Sequence, residues 1–150
     1  MKKHEIKRYR SDYYPAYVAN GLVGLRIGQF PLPGGSALVN GFVGVSPEKG
    51  CEEYAEAPYP VGADICVNGF WLSKNKSQCK FIKQVYDFSC GELFSVFDFN
   101  AGKIKVTVEV TTFCSRTKPS LTLQRIQVKP ACDCELVIQA NIDPRGIMGS

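Results

Sequence analysis

Apolar and polar residues alternate with a period of two along the C-terminal half of the chain. In residues 104–114 one face carries Ile104, Val106, Val108, Val110, Thr112 and Cys114, and the opposite face carries Lys105, Thr107, Glu109 and Thr111. This period is typical of a β-strand with one buried face. Residues 93–99 predict the preceding strand, and the two strands are expected to form a hairpin.

Two further strands are predicted after this hairpin. In residues 134–142 the side chains expected to face the core are Cys134, Leu136, Ile138, Ala140 and Ile142. In residues 121–129 the apolar phase slips, because Leu121 and Leu123 have one parity and Ile126 and Val128 have the other. One extra residue near Gln124–Arg125 would restore the face, so a β-bulge is predicted there.

Glycine and asparagine mark the turns of the N-terminal half. Asn68-Gly69 predicts a two-residue hairpin turn that pairs Val67 with Phe70 and places Trp71 on the more polar face. The segment 20–24 recurs as 40–44, and each copy is interpreted as a turn followed by a strand. The main loops are predicted at 31–35 and 48–60. Together these patterns predict an all-β fold, an antiparallel β-sandwich.

The charge of the 150-residue chain is concentrated at its start. Of 18 basic and 14 acidic residues, five bases and one acid lie in the first ten, which leaves 13 of each in the rest. The sequence therefore predicts a basic tail over residues 1–12 and one domain over 13–150. A neutral body argues against a nucleic-acid partner, which would need a basic stripe across the fold.

The cellular location is predicted from two kinds of segment that are not seen in the sequence. No apolar run approaches the roughly 18 residues of a membrane-spanning helix, and the charged start is not followed by the apolar region of a secretory signal. We therefore expect no membrane association and a cytoplasmic location. The seven cysteines are odd in number, so free thiols are expected.

Candidate chemistry is sparse. Cys132 and Cys134 share one strand face, but the only histidine is His4, so no metal site and no cofactor are expected. Nucleophilic catalysis lacks a histidine base within the body. Among the carboxylates, Glu52, Glu53 and Glu56 are predicted loop residues, and Asp64, Asp87 and Asp98 are dispersed. Two of them could form the carboxylate pair of a glycosidase across a cleft, but solvated charges are the preferred interpretation. The sequence therefore assigns no catalytic residue.

Six short motifs occur in the same order as in a known protein family. They are Asn20–Gly28, Val67–Leu72, Tyr86–Leu93, Val108–Arg116, Leu121–Ile126 and Ile142–Pro144. In this order they resemble the N-terminal domain of glycoside hydrolase family 65, in the branch of protein-glucosylgalactosylhydroxylysine glucosidase and of the kojibiose and maltose phosphorylases. Ala19 departs from the family's opening motif, which has glycine there.

The resemblance implies a fold and a function. It implies a galactose-mutarotase-like super-sandwich that precedes an (α/α)₆ barrel, where the barrel carries the general acid of an inverting α-glucoside hydrolase or phosphorylase. This chain is then the non-catalytic front part of a larger enzyme, or a shortened relative. Its partner is an α-glucoside, bound through the catalytic domain.

The resemblance and the aromatic content suggest three substrate-binding candidates, Asn20, Arg26 and Trp71. Asn20 could instead hold a turn, and Arg26 could bond the two layers. The alternative functions are a free-standing sugar-binding module that uses Trp71 and nearby aromatic residues, or an interaction domain without a ligand. A homodimer is a further expectation, because strand 134–142 would expose an apolar face and an unpaired edge.

Overall fold

The computed structural model describes residues 2–10, 16–46 and 48–144, and all of its paired strands are antiparallel. The described residues form twelve strands: β1 (Lys3–Ile6), β2 (Ala16–Ala19), β3 (Val23–Ile27), β4 (Ser36–Val45), β5 (Glu52–Ala57), β6 (Tyr59–Val67), β7 (Phe70–Trp71), β8 (Cys79–Asp87), β9 (Glu92–Ala101), β10 (Ile104–Cys114), β11 (Thr122–Pro130) and β12 (Leu136–Asp143). One short 3₁₀ turn covers Lys76–Gln78.

Three sheets form two layers. A five-stranded sheet, in the order β1-β8-β9-β10-β11, makes one layer. The other layer contains a four-stranded sheet, β2-β3-β4-β5, and a three-stranded sheet, β12-β6-β7. The predicted antiparallel β-sandwich is confirmed.

The core has two parts, and each lies under one of the smaller sheets. Ile65 and Val67 of the three-stranded sheet pack with Phe97 and Val108 of the five-stranded sheet. The four-stranded sheet contributes Val18, Leu25, Ile27, Ala37 and Ala57 to a second cluster, which meets the opposite ends of β9 and β10 at Leu93 and Cys114. The two smaller sheets therefore cover different ends of the same central hairpin.

The period-two segment at 104–114 forms a strand with the predicted bounds. Its valines are fully buried, while the alternate residues are exposed or half-buried. β9 pairs with it as a hairpin in which Ala101 lies opposite Ile104. Alternation over eleven residues determined this strand because one complete face contacts the second layer.

The turn predictions have mixed outcomes. Asn68 and Gly69 have positive φ values of 46° and 83°, as a tight hairpin turn requires, and Val67 pairs with Phe70. The copy at 20–24 is a turn followed by β3, as predicted. The copy at 40–44 lies inside β4, where the register with β5 shifts between Leu38 and Val43, so that prediction is wrong. The second Asn-Gly pair, Asn40-Gly41, therefore lies within an irregular strand and does not form a turn.

Two predictions about local irregularity are wrong. The segment 48–60 is not one loop, because it contains β5 and the first residues of β6. No bulge interrupts β11, whose register with β10 is continuous from Val106↔Pro130 to Cys114↔Thr122. Leu123 instead points to the outer face, where it lies opposite Phe113. An apolar pair across two strands thus explains the phase slip.

β12 is also different from its prediction. It starts at Leu136, and it pairs along one edge only, with β6. Only Cys134, just before the strand, is partly buried against the core; Leu136, Ile138, Ala140 and Ile142 are exposed. The predicted inward face is wrong because no described strand of the opposite layer lies over it.

The basic N-terminal segment is partly structured. β1 pairs with β8 at the edge of the five-stranded sheet, and Lys3 forms a 3.0 Å ion pair with Asp87. All seven cysteines lie in the described part of the chain and are free thiols. Within that part, no helix is long and apolar enough to cross a membrane.

Candidate functional site

Both the nitrogen and the oxygen of the Asn20 side-chain amide form hydrogen bonds within the fold. Its Nδ2 donates to the backbone oxygens of Ser115 at 2.6 Å and Pro119 at 2.9 Å. Its Oδ1 accepts from the backbone N–H groups of Leu22 at 3.0 Å and Val23 at 2.9 Å. The side chain therefore closes its own turn and ties that turn to the segment after β10. Contact of Asn20 with a substrate stays a prediction.

Arg26 lies on the outer face of β3 with an exposed side chain. It is opposite Tyr17 on one neighbouring strand and Ser36 on the other. Among the described residues its guanidinium makes no hydrogen bond or ion pair, so it does not bond the two layers. The outer position leaves five N–H donors facing solvent.

Trp71 lies in the three-stranded sheet, away from the sheet that holds Arg26. It is half-buried in β7, opposite Cys66, and its backbone oxygen accepts from the Asn75 side chain at 2.8 Å. Asn20 therefore lies in a turn, Arg26 on the outer face of the four-stranded sheet, and Trp71 in the three-stranded sheet. The structure does not gather them into one site.

The dispersed aspartates each have structural partners. Asp64 accepts from the backbone N–H of Ser73 at 3.0 Å. The Ser89 hydroxyl, and then Lys3, donate to Asp87 and lower its pKa to about 2. These carboxylates stabilise turns and strand edges.

Among the described residues, Asp98 is the most buried carboxylate, and it has two donors. Lys105 Nζ and Thr107 Oγ1 each lie 2.8 Å from a carboxylate oxygen. Burial would raise the pKa of Asp98, but the hydrogen bonds from Lys105 and Thr107 together lower it below its usual value. A general acid for glycoside cleavage needs the opposite shift.

A groove of about 330 Å³ crosses the outer face of the four-stranded sheet. The side chains of Tyr17 and Tyr54 are 45% and 69% exposed, while their neighbours Val18 and Ala55 are buried. The residues that line the groove are Tyr17, Ala19, Gly21, Leu22, Val23, Gly24, Leu38, Val39, Asn40 and Tyr54. Two tyrosine rings thus border a surface of mostly small and apolar residues.

Gly24 forms part of the groove floor because the Tyr17 ring lies over it. A Cβ atom at Gly24 would be 1.9 Å from the Tyr17 hydroxyl oxygen and 2.4 Å from Cζ. Such distances are far below a van der Waals contact, so only glycine admits this position of the ring. Tyr54 and Glu56 alternate with Ala55 and Ala57, which is the period of a strand with one buried face, and the loop prediction for 48–60 did not use this signal.

A second cavity, of about 360 Å³, lies at the edge of the three-stranded sheet. Its polar side chains include Asp64, Ser73, Lys76, Asn141 and Asp143. The carboxylate of Asp64 is already hydrogen-bonded to the loop that forms the cavity wall. This arrangement holds the loop against β6.

Comparison with known proteins places these features in a family. Residues 16–148 match the sequence profile of "Glycosyl hydrolase family 65, N-terminal domain". A solved structure, "Putative kojibiose phosphorylase from human microbiome", superposes with a TM-score of 0.77 at 13% identity, over 91% of this chain and 21% of that chain. This chain thus spans about a fifth of that protein. No curated protein matches the sequence.

Proposed function

We propose a function from one premise: this chain belongs to the family of the N-terminal domain of glycosyl hydrolase family 65. It serves as the β-sandwich that precedes a catalytic domain, and that domain cleaves α-glucosides by inverting hydrolysis or phosphorolysis. The family match over residues 16–148 carries the proposal. The shared fold with a protein named as a kojibiose phosphorylase supports it.

In this proposal the sandwich supplies no catalytic group. Inverting cleavage needs a proton donor on one side of the sugar and an activated water or phosphate on the other. The pKa shifts of Asp87 and Asp98 are both downward, which is unsuitable for a proton donor near neutral pH. The reaction therefore takes place in the catalytic domain, and the sandwich supports that domain.

Turnover assays test the absence of a catalytic group. The isolated chain is incubated with kojibiose, maltose or glucosyl-galactose, with and without phosphate, and glucose and glucose 1-phosphate are measured. We expect no product above the buffer control. Product formation that survives purification and is lost in Asp64→Asn or Asp98→Asn would contradict the proposal.

Deletion tests the supporting role. In the polypeptide that carries the catalytic domain, removal of residues 16–144 is expected to abolish soluble, active enzyme, because a surface that the sandwich covers becomes exposed. Full activity after deletion would show that the sandwich has another role.

Binding of carbohydrate is the second candidate function, and the groove with its two exposed tyrosines favours it.

We also propose a cytoplasmic location for the protein. Seven free thiols, three of them exposed, are typical of a reducing compartment.

A further inference from the structure

We propose that the groove bordered by Tyr17 and Tyr54 binds a hexose ring of a neutral glucoside. The inference deepens the proposed function and takes the carbohydrate class from it, while the position and the neutrality of the ligand follow from the groove itself. The groove differs from the site expected around Trp71, which lies in another sheet.

The size of the groove suits a small ligand. Its volume of about 330 Å³ lies at the lower end of the range for small-molecule sites. Tyr17 and Tyr54 belong to β2 and β5, the two edge strands of the sheet, and the Tyr17 ring lies over Gly24 of β3. Tyrosines from both edge strands therefore line the groove.

The lining of the groove determines the charge of its ligand. None of its lining residues carries a charged side chain. Its polar side-chain groups are two phenol hydroxyls and the amide of Asn40, which makes no side-chain hydrogen bond within the described part of the chain. Phosphates and other anions would meet no cation among the lining residues; Arg26, opposite Tyr17 on the same outer face, lies outside this lining. A neutral molecule with many hydroxyl groups is the class that this lining recognises.

The tyrosines match the two-sided character of a sugar ring. A tyrosine ring offers an apolar face and a polar hydroxyl edge, as a hexose offers C–H faces and a hydroxyl rim. Both side chains are exposed although the opposite face of the same sheet is buried in the core. Single exposed aromatic residues are common, but two that border one groove form a surface suited to stacking.

A substitution at Gly24, in the floor of the groove, perturbs the groove only mildly. In Gly24→Ala the new Cβ atom would meet only the outer end of the exposed Tyr17 side chain, which can swing away. The variant is therefore expected to fold as the parent does while the Tyr17 ring leaves its place. It tests the arrangement of the groove without removing an aromatic residue.

The experiment is a titration followed by amide and methyl NMR shifts. Methyl α-glucoside, maltose and kojibiose are added separately into the millimolar range, and glucose 1-phosphate and inorganic phosphate are added as charged probes. We expect saturable shifts in β2, β3, β4 and β5 with the neutral glucosides and none with inorganic phosphate. Affinity should fall at least about tenfold in Tyr17→Ala and in Tyr54→Ala, and also in Gly24→Ala.

One control variant completes the design. Phe88→Ala removes an exposed aromatic side chain immediately after β8 and should retain parental affinity. Absence of binding by every neutral glucoside, or parental affinity in the Tyr17→Ala/Tyr54→Ala double variant, would overturn the inference. So would tighter binding of phosphate. Each of these results leaves the proposed function standing, because that depends on the turnover and deletion assays.

Discussion

Replacing Asn20 with alanine removes four hydrogen bonds, two of which connect segments far apart in sequence. The amide donates to Ser115 and Pro119, which are 95 and 99 residues away. A hydrogen bond contributes about 0.5–1.5 kcal/mol net to folding. The N–H groups freed in the turn regain water, so we count only the two long-range bonds. The free energy of unfolding should therefore fall by about 2 kcal/mol.

This change is large enough to measure. It corresponds to a decrease of roughly 30-fold in the folding equilibrium constant. For a domain of this length it lowers the melting temperature by about 4–8 °C. Urea denaturation followed by the fluorescence of Trp71, the only tryptophan, gives the free energy directly.

Asn40 is a matched control, because it occupies the same position in the second copy of the segment. Its side chain is exposed and makes no hydrogen bond in the described part of the chain, so Asn40→Ala should change stability by less than about 0.5 kcal/mol. Asn20→Asp retains the acceptor but places an oxygen against two backbone carbonyl oxygens, so it should be at least as destabilised as Asn20→Ala. Equal stabilities of Asn20→Ala and Asn40→Ala would refute the structural role of Asn20.

Three further predictions concern other parts of the fold. The lowered pKa of Asp98 means that its carboxylate stabilises the fold above the unfolded pKa of about 3.9 and that this stability is lost as pH falls through the lower folded pKa. In urea denaturation between pH 6 and pH 2, Asp98→Asn should therefore lose less stability than the parent, whereas parallel pH profiles would contradict this. Gly35→Ala places a Cβ atom 2.6 Å from the backbone oxygen of Arg26 and should cost about 1–3 kcal/mol, whereas Gly24→Ala should cost less than about 1 kcal/mol; similar melting temperatures would disprove the distinction. The exposed β12 should drive self-association at high concentration, and Ile142→Lys, at a side chain that is 66% exposed, should reduce the mass seen by light scattering without lowering stability. A monomeric parent would contradict that prediction.

Local patterns were sufficient for the central strand and for one hairpin turn. In residues 104–114 the valines all fall on the buried face, and Asn68-Gly69 fits the positive φ values of a hairpin turn. The order of short motifs indicated the family that the profile match confirmed over residues 16–148. These features depend on neighbours close in sequence or on motif order, so a single sequence contains them.

The candidate site was much less accessible from sequence. Of the three residues chosen, Asn20 has its side-chain amide engaged in the fold, and Trp71 lies in a different sheet from Arg26. The groove depends on Tyr17, Gly24 and Tyr54, which come from three strands and have no motif in common. Their proximity results from strand order, which short-range patterns do not encode.

The sequence by itself determined the all-β character, the central hairpin and the family. Only the tertiary structure decided which apolar faces are covered. In β12 the apolar residues alternate regularly, yet their side chains are exposed. Alternation states that residues share a face of a strand, because successive side chains point to opposite sides. Whether that face is buried depends on the sheet that packs against it, and this partner comes from distant parts of the chain.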